Sequence, residues 1–224
     1  QQHMVIGVNH PDRFLRRIID EIGHAAALPR ARQKVKRGPS PRAPSCRMFG
    51  ASSLAGSRMD TDQARTYVAK GVAHVALPQG AEPETVTFVL LPKFTMLAFS
   101  SAIEPLRIAN QLTGQTLFRW QVLSLDGQPV ACSNGVSVQA DAAFADVAPT
   151  GLVLVCSGVE PEAHVSPALS DWLRAQWRRG RIVGGLCSGA YSLARAGILK
   201  GRRFTLHWEN ISGFRETWPD LEPV

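Results

Sequence analysis

The chain has 224 residues, room for one domain with an extension or for two small ones at roughly 100–200 residues each. It is 45% hydrophobic and 19% charged, which excludes a wholly disordered chain, and no apolar run approaches the ~18 residues of a membrane helix. The net charge of +7 is uneven: residues 1–85 hold 13 Lys/Arg against 7 Asp/Glu, and residues 86–224 hold 12 against 11, so a near-neutral domain follows a basic extension.

Residues 30–58 carry eight basic side chains, no acid, and Pro29, Pro39, Pro41 and Pro44 lie in or beside them. Self-repulsion and proline both oppose compaction, so residues 1–84 are expected to form a disordered basic extension. A nucleic-acid arm, an organelle-targeting segment, and translation from upstream of the natural start (Met4, Met48 or Met59) remain open for it. Phe14, Leu15, Ile18, Ile19 and Ile22 fall near helical spacing within 10–28. The first 20 residues lack the apolar stretch of a signal peptide. Cys46, Cys132, Cys156 and Cys187 form no CxxC pair, which argues against a zinc knuckle or disulfide framework and for a reducing cytoplasm.

From residue 85 the pattern becomes regular. Thr85–Leu91 is a short, continuously apolar run that suits a strand covered on both faces. Leu97–Leu112 reads as a helix, with a kink or a helix start expected near Glu104 because Pro105 removes an internal hydrogen bond. Phe118–Leu125 is a strand; Asp126-Gly127 is a hairpin signal from which Pro129–Cys132 is expected to pair back. Asn134-Gly135 marks a second turn before Val136–Gln139. Gly151–Cys156 is a buried strand, and Ser166–Arg179 a helix with Pro167 in its first turn and Gly180 at its end. Arg181–Leu186 is a strand, Ser188–Ala196 a helix stopped by Gly197, Phe204–Leu206 a short strand and Glu209–Thr217 a short helix. The alternation predicts a parallel α/β sheet covered on both faces over residues 85–224, with ligands beyond the carboxyl ends of its strands. Gly-x-Gly-x-x-Gly and the Walker loop are absent, and neither a cofactor nor a metal is expected.

Gly185-Leu186-Cys187-Ser188-Gly189 is the cysteine version of the Gly-x-Ser-x-Gly nucleophile elbow, in the strand-to-helix context the motif demands. Glycines flank the turn because the backbone reverses sharply, and the first N–H groups of the next helix favour a thiolate. The alternative is an inert cysteine in a tight glycine turn. His207, with Glu209 two residues on, is a base and orienter or simply donates to a backbone carbonyl.

Several stretches together resemble the GlxA-type regulators of the AraC family: Phe88–Pro92, Ala98–Asn110, Cys132–Gly135, Gly184–Ala190, Leu193–Gly201 and Thr205–Glu209. These regulators carry a PfpI-like, class I glutamine-amidotransferase-like domain, and the resemblance covers about residues 86–224. It implies a flavodoxin-like parallel-sheet sandwich, usually dimeric, sensing a small-molecule effector such as a quaternary amine or amino acid. It also implies that this chain is C-terminally incomplete and meets DNA only through a helix-turn-helix domain absent from it, with a sheet edge left uncovered. No membrane partner is implied. Catalytic relatives such as the isonitrile hydratases keep an Asp at a position that looks like Ala98 here, and Glu104 is either the acid that replaces it or a helix-start residue before Pro105.

The sensing reading places Cys187, Ser188, Gly189, Ala190, His207, Trp208 and Glu104 around the effector, with Trp208 or Tyr191 facing a quaternary ammonium or else packing in the core. The second reading is a cysteine hydrolase or hydratase with Cys187 as nucleophile and His207 as base. The third is DNA binding through the basic arm.

Overall fold

A computed structural model describes residues 82–224 and the dipeptide Gly7–Val8. The expected helix within 10–28 and the basic run of 30–58 lie outside the described residues.

Six parallel strands form the sheet, in the order β1-β8-β7-β2-β3-β6. These are β1 (Gly7–Val8), β2 (Glu84–Leu90), β3 (Phe118–Ser124), β6 (Ala142–Ala143), β7 (Leu152–Cys156) and β8 (Ile182–Leu186). In β7, Leu152, Leu154 and Cys156 join one core cluster, and Val153 and Val155 join the other. This period-two alternation explains the near-continuous apolar sequence: each strand has a helix-covered layer on both sides. One layer packs Phe99, Ala102 and Leu106 of α1 (Met96–Thr113). The other packs α2 (Pro167–Arg178), α3 (Ala190–Arg195) and α4 (Ile211–Thr217) through Leu169, Leu173, Leu193 and Phe214. The architecture is the expected flavodoxin-like sandwich. β1 adds a short parallel neighbour to the carboxyl half of β8, pairing Gly7 with Gly185 and Val8 with Leu186.

Three expectations need correction. First, α1 does not start near Glu104; it begins at Met96 and runs through Pro105 as one helix. The face carrying Phe99, Ala102, Leu106 and Asn110 is buried on both sides of the proline, so packing outweighs the lost hydrogen bond. Second, the chain after Asp126-Gly127 does not pair back on β3. At the carboxyl end of β3, where the returning chain would pair, both edges are already taken: Leu123 pairs with Val89 of β2 and with Ala142 of β6. Instead β4 (Val130–Ala131) pairs antiparallel with β5 (Ser137–Val138) around the Asn134-Gly135 turn. Third, Phe204–Leu206 is not a strand. Phe204 and Leu206 are buried in the core as an irregular crossing segment.

Asn110, buried in α1, fixes the connection to β3: its amide donates to the Phe118 carbonyl (2.8 Å), and its Oδ1 accepts from the N–H groups of Leu117 (2.8 Å) and Phe118 (2.9 Å). Ser166 caps α2 by accepting from Leu169 N. Among the described residues no helix is long and apolar enough to cross a membrane.

Candidate functional site

The β2 connection passes through α1 on one face and the β7 connection through α2 on the other, while β2 and β7 are neighbours in the sheet. Their loops diverge at the carboxyl edge, where a parallel α/β sheet opens a crevice. Three non-glycine residues with left-handed φ sit at this edge, one after each of three strands: Lys93 (58°) after β2, Glu160 (52°) after β7 and Cys187 (55°) after β8. Such backbone costs about 1–3 kcal/mol per residue and concentrates at functional sites.

At the elbow the glycine spelling has a steric cause. A Cβ on Gly185 would lie 2.7 Å from the Gly189 carbonyl carbon, and one on Gly189 would lie 2.5 Å from the Val155 oxygen. Only two bare Cα atoms let the chain double back so closely onto the strand. The turn leaves Cys187 partly exposed, whereas Ser188, Gly189 and Ala190 are buried. Ser188 is held inward, its Oγ 2.6 Å from the Gly158 carbonyl and 3.2 Å from Ser157 Oγ.

The side chain that reaches Cys187 is one the sequence did not single out. Thr95 stands at the N-cap of α1 but makes no cap bond; its hydroxyl donates to Cys187 Sγ at 3.4 Å. Ala98, where the resemblance implies the position of the catalytic relatives' Asp, lies in the first turn of α1 and packs against the core. His207 stands beside Glu209 (Nδ1 to Oε2 3.6 Å) and stacks on Trp208. Among the described residues it makes no hydrogen bond to Cys187. Trp208 is 72% exposed. Glu104 is on the exposed side of α1, paired with Arg107 (2.8 Å). Tyr191 is buried against Phe214 and Trp218, and its hydroxyl donates to the Asn210 carbonyl at 3.1 Å. Burial, and secondarily the charge of Glu162, push its phenol up.

Other groups at this edge escaped the sequence reading. Gly158 bridges the β7 loop to Phe94. His164 has a buried Nε2 without a hydrogen-bond partner among the described residues, on a turn packed against α3. Lone residues with no motif spacing give no sequence signal of either role. The remaining described cysteines are dissimilar: burial drives the Cys156 thiol far above its usual range, and Cys132 donates to Asn134 Oδ1 at 2.7 Å.

A cleft of about 740 Å³ opens at the same edge, over the ends of β2 and β3, lined by residues such as Leu90, Lys93, Asp126, Val130 and Val159. None of Cys187, Ser188, Gly189, Ala190, His207, Trp208 or Glu104 lines it.

A parallel α/β sandwich with a left-handed cysteine between strand and helix defines the class of elbow-cysteine α/β domains. The chain belongs to the DJ-1/PfpI family, whose family model matches residues 85–218. It is 49% identical over 134 residues to the HTH-type transcriptional regulator CdhR of Pseudomonas aeruginosa, covering 60% of this chain and 40% of that one. It is 42% identical over 142 residues to the HTH-type transcriptional regulator GbdR of the same organism, covering 63% and 39%. Among solved structures it is similar to an AraC family transcriptional regulator from Pseudomonas putida, with TM-score 0.57, 31% identity, and coverage of 63% of this chain and 76% of that one. The chain thus spans about 40% of the length of these two curated relatives.

Proposed function

We propose that residues 85–224 form the non-catalytic effector-sensing domain of an AraC-type transcriptional regulator. In this reading the domain binds a small metabolite at the carboxyl edge of its sheet, acts in the cytoplasm as a homodimer, and reaches DNA only through a helix-turn-helix portion. A quaternary amine or an amino acid is the effector class that the resemblance to GlxA-type regulators implies. The observation that carries the reading is the surroundings of Cys187. The sulfur has the strained backbone of an elbow, but its hydrogen-bond partner is the neutral Thr95 hydroxyl. His207 is directed to Glu209 instead. A thiol without a base beside it suits binding better than nucleophilic turnover.

The second reading, a cysteine-dependent hydrolase or hydratase, draws on the same left-handed φ of 55° at Cys187, which presents a nucleophile as such enzymes do. A Cys187→Ser substitution in a full-length regulator carrying this domain separates the two. Sensing requires that the transcriptional response survive the substitution. Turnover of amides or isonitriles that disappears with the thiol would instead establish the enzyme.

A further inference from the structure

We propose that the cleft over the ends of β2 and β3 binds a small organic cation whose head group carries N–H donors, an alkylammonium or alkylguanidinium, with Asp126 as its counter-charge. The proposal deepens the sensing reading and rests on it for its purpose; its test is of binding alone.

The cleft has the size and make-up of a small-molecule site. Its volume is about 740 Å³, and Leu90, Pro92, Leu125, Pro129, Val130 and Val159 supply an apolar lining for a short aliphatic body. Two charged side chains line it, Lys93 and Asp126. They are not equivalent. Lys93 is already neutralised, its Nζ 2.5 Å from Glu160 Oε2. Asp126 has no ion pair among the described residues. Its Oδ1 accepts from Gln128 N (3.0 Å) and, at 3.4 Å, from the buried Ser124 hydroxyl, so one oxygen is fixed by the turn, and Oδ2 accepts no hydrogen bond among the described residues. The uncompensated charge in the cleft is therefore negative, and an entering cation gains most there.

The kind of cation follows from what the lining lacks. A quaternary ammonium has no N–H and is held by aromatic faces. Among the described residues no aromatic one lines this cleft; Tyr191 is committed to the core and Trp208 is not in the lining. A primary ammonium or a guanidinium can instead donate to Asp126 Oδ2 and to the exposed Ser133 hydroxyl at the rim.

The test is calorimetric titration of the full chain with n-butylammonium, n-butylguanidinium and n-butyltrimethylammonium. The first two are expected to bind, and the quaternary ion about tenfold more weakly. Asp126→Asn keeps the Oδ1 acceptor that the turn needs while removing the charge, and is expected to weaken both N–H cations about tenfold. Val159→Trp, at a 51% exposed position on the rim, fills the cleft without touching the core and is expected to abolish binding. Equal binding of the quaternary ion, unchanged binding in Asp126→Asn, or no binding of either N–H cation at millimolar concentration would each overturn the proposal. None of these outcomes touches the sensing reading, which is decided by the transcriptional response of the Cys187→Ser regulator.

Discussion

Thr95 shows how a single residue at this site departs from local rules. A threonine at an N-cap ordinarily accepts from the first turn of its helix, but here the hydroxyl is given to Cys187 Sγ, 92 residues away in sequence. Gly158 makes the same point sterically. A Cβ there would lie 2.3 Å from the Lys93 oxygen and 2.8 Å from Thr95 N, backbone on both sides, so neither neighbour can rotate away. The same residue's carbonyl receives the Ser188 hydroxyl. Gly158→Ala is therefore expected to force the β2 and β7 loops apart and to cost about 2–3 kcal/mol. Urea unfolding should show a lower midpoint at unchanged slope; an unchanged midpoint would mean that the loops yield freely. The Gly185–Gly189 pair was legible in the sequence because both partners lie within one turn. Thr95 and Gly158 were not, because their partners lie in other loops.

At the scale of elements, helices and strands followed their apolar periods, and the errors fell where neighbours overrule local preference. The sequence allowed a helix start near Glu104, yet α1 begins at Met96 and continues through Pro105, with residues on both sides of the proline buried on one face. The proline then sits in the helix at a cost, having no N–H for the preceding turn. Pro105→Ala is expected to raise stability by about 1–2 kcal/mol, less than the roughly 3 kcal/mol propensity difference because alanine also loosens the unfolded chain. Chemical denaturation checks this; a loss of stability would show that the proline ring itself is required packing. Likewise the turn signal at Asp126-Gly127 is real, since Gly127 has φ of 78°, but a hairpin needs a free strand edge beside the turn and at Leu123 of β3 both edges are taken, by Val89 and by Ala142.

At the scale of the whole molecule the sheet divides the interior into two clusters, with Leu106 in one and Ile198 in the other. Residues with no shared neighbours contribute independently. Leu106→Ala is expected to cost about 2–5 kcal/mol and Ile198→Val about 0.5–1.5 kcal/mol. The double variant should equal their sum within about 0.5 kcal/mol. A larger discrepancy, measured by equilibrium unfolding, would show strain passing through the sheet.

By itself the sequence determined the parallel α/β class, the run of its main elements and the elbow at Cys187, because each of these is written in contiguous residues: apolar runs, helical spacing, glycines flanking one turn. The tertiary structure alone decided what stands beside that sulfur, which strand edges are open, and where the cleft lined by Lys93 and Asp126 lies. Those properties are set by loops that leave different strands and meet at one edge, and no spacing along the chain encodes the distance between them.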